Sequence, residues 1–142
     1  MDPTVACHAL QLTVQPEDID VLGHVNNVVY LRWVQDAAVA HWEAAAPADA
    51  RRELFWVVAR HEIDYRRPAF VGQEIVVRTW VGHADGRAFD RHTEITRATD
   101  GKVLAAARTV WVPMSRTTGR PTDVDDGVRA RFSVSGGGEG AP

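Results

Sequence analysis

Within eight residues the chain places a carboxylate (Asp20), a glycine (Gly23), an imidazole (His24) and two carboxamides (Asn26, Asn27). A long apolar run follows directly. These residue types at this spacing suit acyl chemistry at the tip of a helix. Asn26 or Asn27 is a favourable N-cap, and no proline interrupts the run until Pro47. A helix starting there turns its free backbone N–H groups and positive dipole end toward the loop holding Asp20 and His24. Such groups can polarise a carbonyl oxygen while a neighbouring carboxylate attacks the carbonyl carbon or activates a water. Taken singly, Asp20 also suits plain capping of the helix, and His24 suits a hydrogen-bonded turn.

The elements that must position these groups follow from periodicity. His8 to Gln15 alternates, with Leu10, Leu12 and Val14 on one face of a strand, and Pro16 to Gly23 forms an acidic loop. The helix is predicted from about residue 27 to 46. Its polar residues Arg32, Gln35, Asp36 and Glu43 fall on one stripe, so the rest of its surface is predicted to be buried on several sides. Arg32 and Asp36 are spaced to pair across one turn. Leu54 to Arg66 reads as one long strand with Phe55, Val57, Ala59, His61, Ile63 and Tyr65 on one parity.

Further strands are predicted at Ile75 to Val81, Arg87 to Thr96 and Val103 to Val112, with Pro113 ending the last. His83-Ala84-Asp85-Gly86 and Thr99-Asp100-Gly101-Lys102 read as the turns between them. A short helical turn is expected around Asp126 to Phe132. The simplest packing is an antiparallel sheet curled around one central helix, an α+β arrangement in a single domain over residues 1–132. The Gly-rich tail, residues 133–142, lacks the apolar surface to order itself. An open sheet edge makes self-association the expectation.

Composition excludes several classes. With 142 residues, 45% hydrophobic and 25% charged, the chain suits one ordinary globular domain. A net charge of −3 argues against nucleic-acid binding, and the arginine bias (15 Arg against Lys102 alone) is as well explained by composition as by phosphate chemistry. The single Cys7 rules out an internal disulfide framework and fits a reducing compartment. Neither a leader-like N-terminus nor a bilayer-length apolar run is seen, so the expectation is a cytoplasmic protein with no membrane partner. The chain has no Gly-x-Ser-x-Gly, no zinc-ligand spacing among its six histidines and no phosphate-cradling glycine loop.

With these elements placed, the chain resembles the hotdog-fold thioesterases, in the branch of the 4-hydroxybenzoyl-CoA thioesterase and the small bacterial long-chain acyl-CoA thioesterases. The resemblance rests on Asp20-x-x-Gly23-His24-Val25-Asn26-Asn27 with Tyr30-Leu31, then on Ile63-Asp64-Tyr65-Arg66-Arg67-Pro68-Ala69. The Asp100-Gly101 hairpin and Thr118-Gly119-Arg120-Pro121 match as well. It implies an antiparallel sheet of about five strands around a long helix, homodimers or homotetramers with the site at the subunit interface, and no metal or organic cofactor. The implied substrate is an acyl-CoA or an acyl group on a carrier protein.

Carried over residue by residue, Asp20 matches the catalytic carboxylate, as nucleophile or general base, and His24 an orienting or proton-transferring histidine. Asn26 and Asn27 match the paired asparagines whose backbone N–H groups, that of Asn27 above all, form the oxyanion site. Leu22 departs from relatives that carry asparagine there. Gly23, Tyr30, Tyr65, Arg66, Arg67, Pro68, Arg87 and Phe89 are the implied substrate-binding positions. Arg91 and Arg120 join Arg66, Arg67 and Arg87 as candidates for the CoA phosphates. The implied activity is hydrolysis of an acyl-CoA thioester; an acyl-carrier-protein thioesterase and a non-catalytic acyl-CoA-binding domain are the alternatives.

Overall fold

The computed structural model describes residues 7–132; the predicted tail at 133–142 lies outside them. Five strands, β1 (Cys7–Thr13), β2 (Leu54–Tyr65), β3 (Glu74–Asp85), β4 (Ala88–Arg97) and β5 (Val103–Ser115), form one sheet in the order β1-β3-β4-β5-β2. Every pairing is antiparallel. The long helix α1 (Asn27–Ala45) packs on the face of β1 and β3. Two short helices, α2 (Ala48–Glu53) and α3 (Asp126–Arg131), complete the hotdog architecture. Helix α2 has no counterpart among the predicted elements; it starts at Pro47, whose fixed φ suits a helix entrance.

Burial divides into two clusters along α1. The N-terminal half of the helix, through Val29, Tyr30, Trp33, Val34 and Ala37, packs with Val25, Ile75, Val77, Ile95 and Leu104. The C-terminal half, through Trp42 and Ala45, packs with Phe89, Trp56, Trp111, Val128 and Phe132. The helix is not buried on several sides as its composition suggests. Val28 is 69% exposed and Val39 is exposed beside Arg32, Gln35 and Glu43, so one stripe of α1 stays open.

Three further expectations are corrected by pairing geometry. In β2, Val58 pairs with Trp111 but Arg60 pairs with Val110, so Ala59 is an extra residue and the strand changes parity there. Leu54, Trp56 and Val58 share the inner face with His61, Ile63 and Tyr65, and Phe55 and Val57 lie on the opposite one. In β3 the strand does not stop at Val81: a bulge at residues 82–83 lets it resume to Asp85, and Gly86-Arg87 alone makes the turn. Pro113 does not end β5, which runs to Ser115. Opposite Trp56, its carbonyl accepts from the Thr122 N–H on the side away from β2, so its missing donor faces where β4 has already ended.

Candidate functional site

The segment ahead of α1 is a tight antiparallel loop. Ile19 and Val25 form an isolated bridge, the Asp20 N–H donates to the His24 carbonyl at 3.0 Å, and the Gly23 N–H donates back to the Asp20 carbonyl at 3.0 Å. Gly23 adopts φ 87°, a left-handed conformation that a side chain would strain. Val25 is buried in the core, so the pleat turns Asp20 and His24 the other way. The Asp20 carboxylate accepts the Leu22 N–H at 2.8 Å, which fixes its orientation and leaves its other oxygen unengaged among the described residues.

Helix α1 begins where the spacing predicts. Asn26 is the N-cap, its side chain accepting the Val28 N–H at 3.0 Å and its carbonyl accepting the Val29 N–H at 3.0 Å. Among the described residues nothing accepts from the Asn27 N–H at the exposed tip. A free helix-start donor therefore stands next to the loop that carries Asp20, because the Asn26 N–H donates to the Asp18 carbonyl at 2.9 Å. His24 is half-buried, its Nδ1 a distant 3.4 Å from the Val25 carbonyl.

The second motif reaches the same place. The Val25 N–H donates to the Ala69 carbonyl at 2.9 Å, and the Tyr65 hydroxyl donates to the Asn27 carbonyl at 3.1 Å. Tyr30 is buried rather than exposed to a ligand; its ring meets Trp33 and Tyr65 edge-on, and burial pushes its phenol pKa up. Arg66 and Arg67 are exposed beside the exposed Pro68, their N–H groups sharing the Leu104 carbonyl.

Other predicted residues lie elsewhere in the protomer. Phe89 is buried in the far cluster against Trp56, and Arg87 pairs with Asp123 at 2.9 Å. Phe89 is six positions along β4 from Ile95, about 20 Å from the Tyr65 end of the sheet. Arg91 is only 6% exposed and cannot meet a surface phosphate.

One residue that positions the loop escaped the sequence reading. Asp18, 2% exposed, accepts from Arg32 at 2.9 Å through Oδ1 and from the Gln15 N–H at 2.9 Å through Oδ2. Arg32 therefore reaches back to the loop and not to Asp36. The available signal was Gln15-Pro16-Glu17-Asp18, an acid three residues after a cap with proline between, which is a capping pattern.

Similar proteins concentrate in one family. The sequence profile of the thioesterase-like superfamily matches residues 14–132. The long-chain acyl-CoA thioesterase FadM of Escherichia coli is 25% identical over 127 residues, covering 86% of this chain and 94% of that protein. A palmitoyl-acyl carrier protein thioesterase of Cuphea hookeriana is 32% identical over 83 residues, 58% of this chain; the match spans only 20% of the plant protein. The crystal structure of a thioesterase from Thermus thermophilus complexed with coenzyme A and zinc is 28% identical, with a TM-score of 0.77 over 88% of this chain and 96% of that one.

Proposed function

Because the chain belongs to the thioesterase-like superfamily, we propose that it hydrolyses an acyl-CoA thioester to a carboxylic acid and CoA at the loop before α1. The observation that carries this reading is the open Asn27 N–H at a helix start tied to the loop that holds the oriented Asp20 carboxylate. In the reaction the thioester carbonyl oxygen sits at the helix tip, where a backbone donor and the dipole stabilise the charge that develops on it. Asp20 then either attacks the carbonyl carbon, expelling the thiolate and leaving a mixed anhydride that water opens, or removes a proton from the attacking water. His24 orients the attacking group or passes a proton to the departing sulfur. Arg66 and Arg67 supply exposed charge for the CoA phosphates.

The edge strand supports a site shared between two copies. β2 ends the sheet with twelve residues and an unpaired outer edge, and it lies beside the open stripe of α1. A twofold antiparallel pairing about the middle of β2 sets Leu54 opposite the partner's Tyr65. Tyr65 holds the helix tip through Asn27, so the tip of one copy adjoins the Leu54 end of the other. A carrier-protein thioester is the second reading, favoured by the match to the palmitoyl-acyl carrier protein thioesterase of Cuphea hookeriana.

The test is thiol release from a panel of short, long and aromatic acyl-CoA thioesters, with Asp20→Asn in parallel. Turnover in the wild type that falls about 10²-fold or more in the variant, with unchanged melting temperature, is the expected result. A wild type inert on CoA and carrier-protein thioesters alike, yet still binding CoA, leaves a binding domain and refutes the enzyme reading. A sedimentation mass of one chain at micromolar concentration refutes the shared site.

A further inference from the structure

The far cluster lines a half-open cavity of about 290 Å³ between the C-terminal half of α1, the start of β2, the β3–β5 face and α3. Aromatic rings of Trp42, Trp56, Phe89 and Trp111 form its apolar wall, and the guanidinium groups of Arg91 and Arg129 line it as well. A purely acyl pocket has no use for buried cations. Arg91 and Arg129 are 6% and 8% exposed, and neither has a carboxylate within ion-pair distance among the described residues. Among the described residues the only carboxylate lining the cavity is that of Glu43, itself exposed.

Arg91 Nη1 donates to Thr79 Oγ1 at 3.0 Å and to His41 Nδ1 at 2.9 Å. His41 can accept because burial, reinforced by the Arg91 charge and by His8, lowers its pKa to about 3 and keeps it neutral. Arg129 lies over the Phe89 ring at 4.9 Å, and its buried Nη2 has no acceptor. The buried indole N–H groups of Trp56 and Trp111 have none either. The Arg129 and indole groups are donors lacking an acceptor, and leaving buried donors unpaired is costly, most of all when one is charged. A carboxylate in the cavity supplies the counter-charge that the Arg91 and Arg129 side chains lining it lack among the described residues.

We propose that this cavity receives the far end of the acyl group, and that the group it is built for ends in a second carboxylate. The substrate class is then the mono-thioester of a short aliphatic or single-ring dicarboxylic acid, sized by a cavity near the ~300 Å³ lower end of small-molecule pockets. The inference rests on the thioesterase reading and on pairing through β2. Within one copy the cavity lies about 22 Å along α1 from Asn27, counting 1.5 Å per residue to Trp42. The Leu54 and Trp56 that line it are the end of β2 brought beside the partner's helix tip.

The experiment compares kcat/KM for adipoyl-CoA and hexanoyl-CoA, matched in length and differing at the far end. It adds saturable quenching of tryptophan fluorescence by free adipate, a readout that needs no turnover. The wild type is expected to favour adipoyl-CoA at least about tenfold, in line with a hydrogen-bonded charge. Arg129→Met is expected to bring that ratio close to one and abolish the quenching. Trp111→Phe, which removes the indole N–H together with part of the aromatic wall, lowers the ratio by a smaller factor. If Arg129→Met does not fold, Arg129→Lys carries the test, with a reduced ratio expected from charge without the fork.

A wild-type ratio at or below one with no saturable adipate response overturns the inference, and hexanoyl-CoA turnover then leaves the thioesterase reading intact. A preference that survives the arginine and tryptophan substitutions overturns the assignment to this cavity. Saturable, Arg129-dependent adipate binding with every thioester inert keeps the carboxylate site and removes the thioesterase reading.

Discussion

The two ends of α1 are built on opposite principles. At the N-terminal end, polar groups are exposed and held by short-range backbone hydrogen bonds: the Ile19–Val25 bridge, the Asn26 cap and the left-handed Gly23. At the C-terminal end, charge is buried among aromatic rings and held by residues distant in sequence, as in the Arg91–His41–Thr79 cluster. The first can be remade by any chain carrying the same short motif. The second exists only once β3, β4, α1 and α3 have packed. The difference suggests a division of labour in which the exposed end performs chemistry and the buried end selects what is attached.

The sharpest break between the ends is kinetic. Asp20→Asn is expected to reduce turnover about 10²-fold or more with little effect on melting temperature, while far-end substitutions change substrate preference. Single-turnover reaction in ¹⁸O-labelled water sharpens the chemistry: label in the Asp20 carboxylate marks an anhydride opened by water at the Asp20 carbonyl.

Next in size is acid sensitivity at the buried end. Burial of His41 lowers its folded pKa to about 3, below the ordinary 6.5, so the unfolded chain binds the proton more readily. Its contribution to stability is full above pH 6.5 and is lost as pH falls from there toward 3. Chemical denaturation should show up to about 1.4 kcal/mol lost per pH unit through this window. His41→Gln should flatten the slope between about pH 6.5 and 5, above most carboxylate titration. An unchanged slope would remove His41 as its source.

The caps give a smaller, paired comparison. Asn26→Ala and Asp125→Ala each remove one side-chain acceptor, from Val28 at 3.0 Å and from Val128 at 2.9 Å, and each should cost about 1 kcal/mol in urea unfolding. Asn26→Ala should also lower turnover on every thioester, because it frays the helix start proposed to face the carbonyl, whereas Asp125→Ala, which loosens the helix carrying Arg129, should lower the preference for adipoyl-CoA. The smallest effect belongs to the exposed Arg87–Asp123 pair, where Arg87→Ala should shift stability by less than about 0.5 kcal/mol. A larger loss would show that Arg87 is engaged by a group from a second copy.

By itself the sequence determined the local structure and the near end. The N-cap of α1 at Asn26, the Gly23 turn, the short loop carrying Asp20 and the Asp100-Gly101 reversal are set by residues within a few positions of each other. Steric limits on φ and short hydrogen bonds are local, so they can be read locally. Alternation likewise placed most strands. The tertiary structure decided what depends on pairing. The bulge at Ala59 moved Phe55 and Val57 to the other face, and the end of β4 allowed β5 to run through Pro113. Arg32 chose Asp18 over the helical neighbour Asp36 because the loop brings a buried carboxylate with a second donor already in place. Arg91 shares its parity with Phe89, Thr93 and Ile95, a sign in the sequence that it points inward. What it meets there, a neutral histidine and, among the described residues, no carboxylate, is fixed only by packing, since burial energies depend on which distant groups fill the same space.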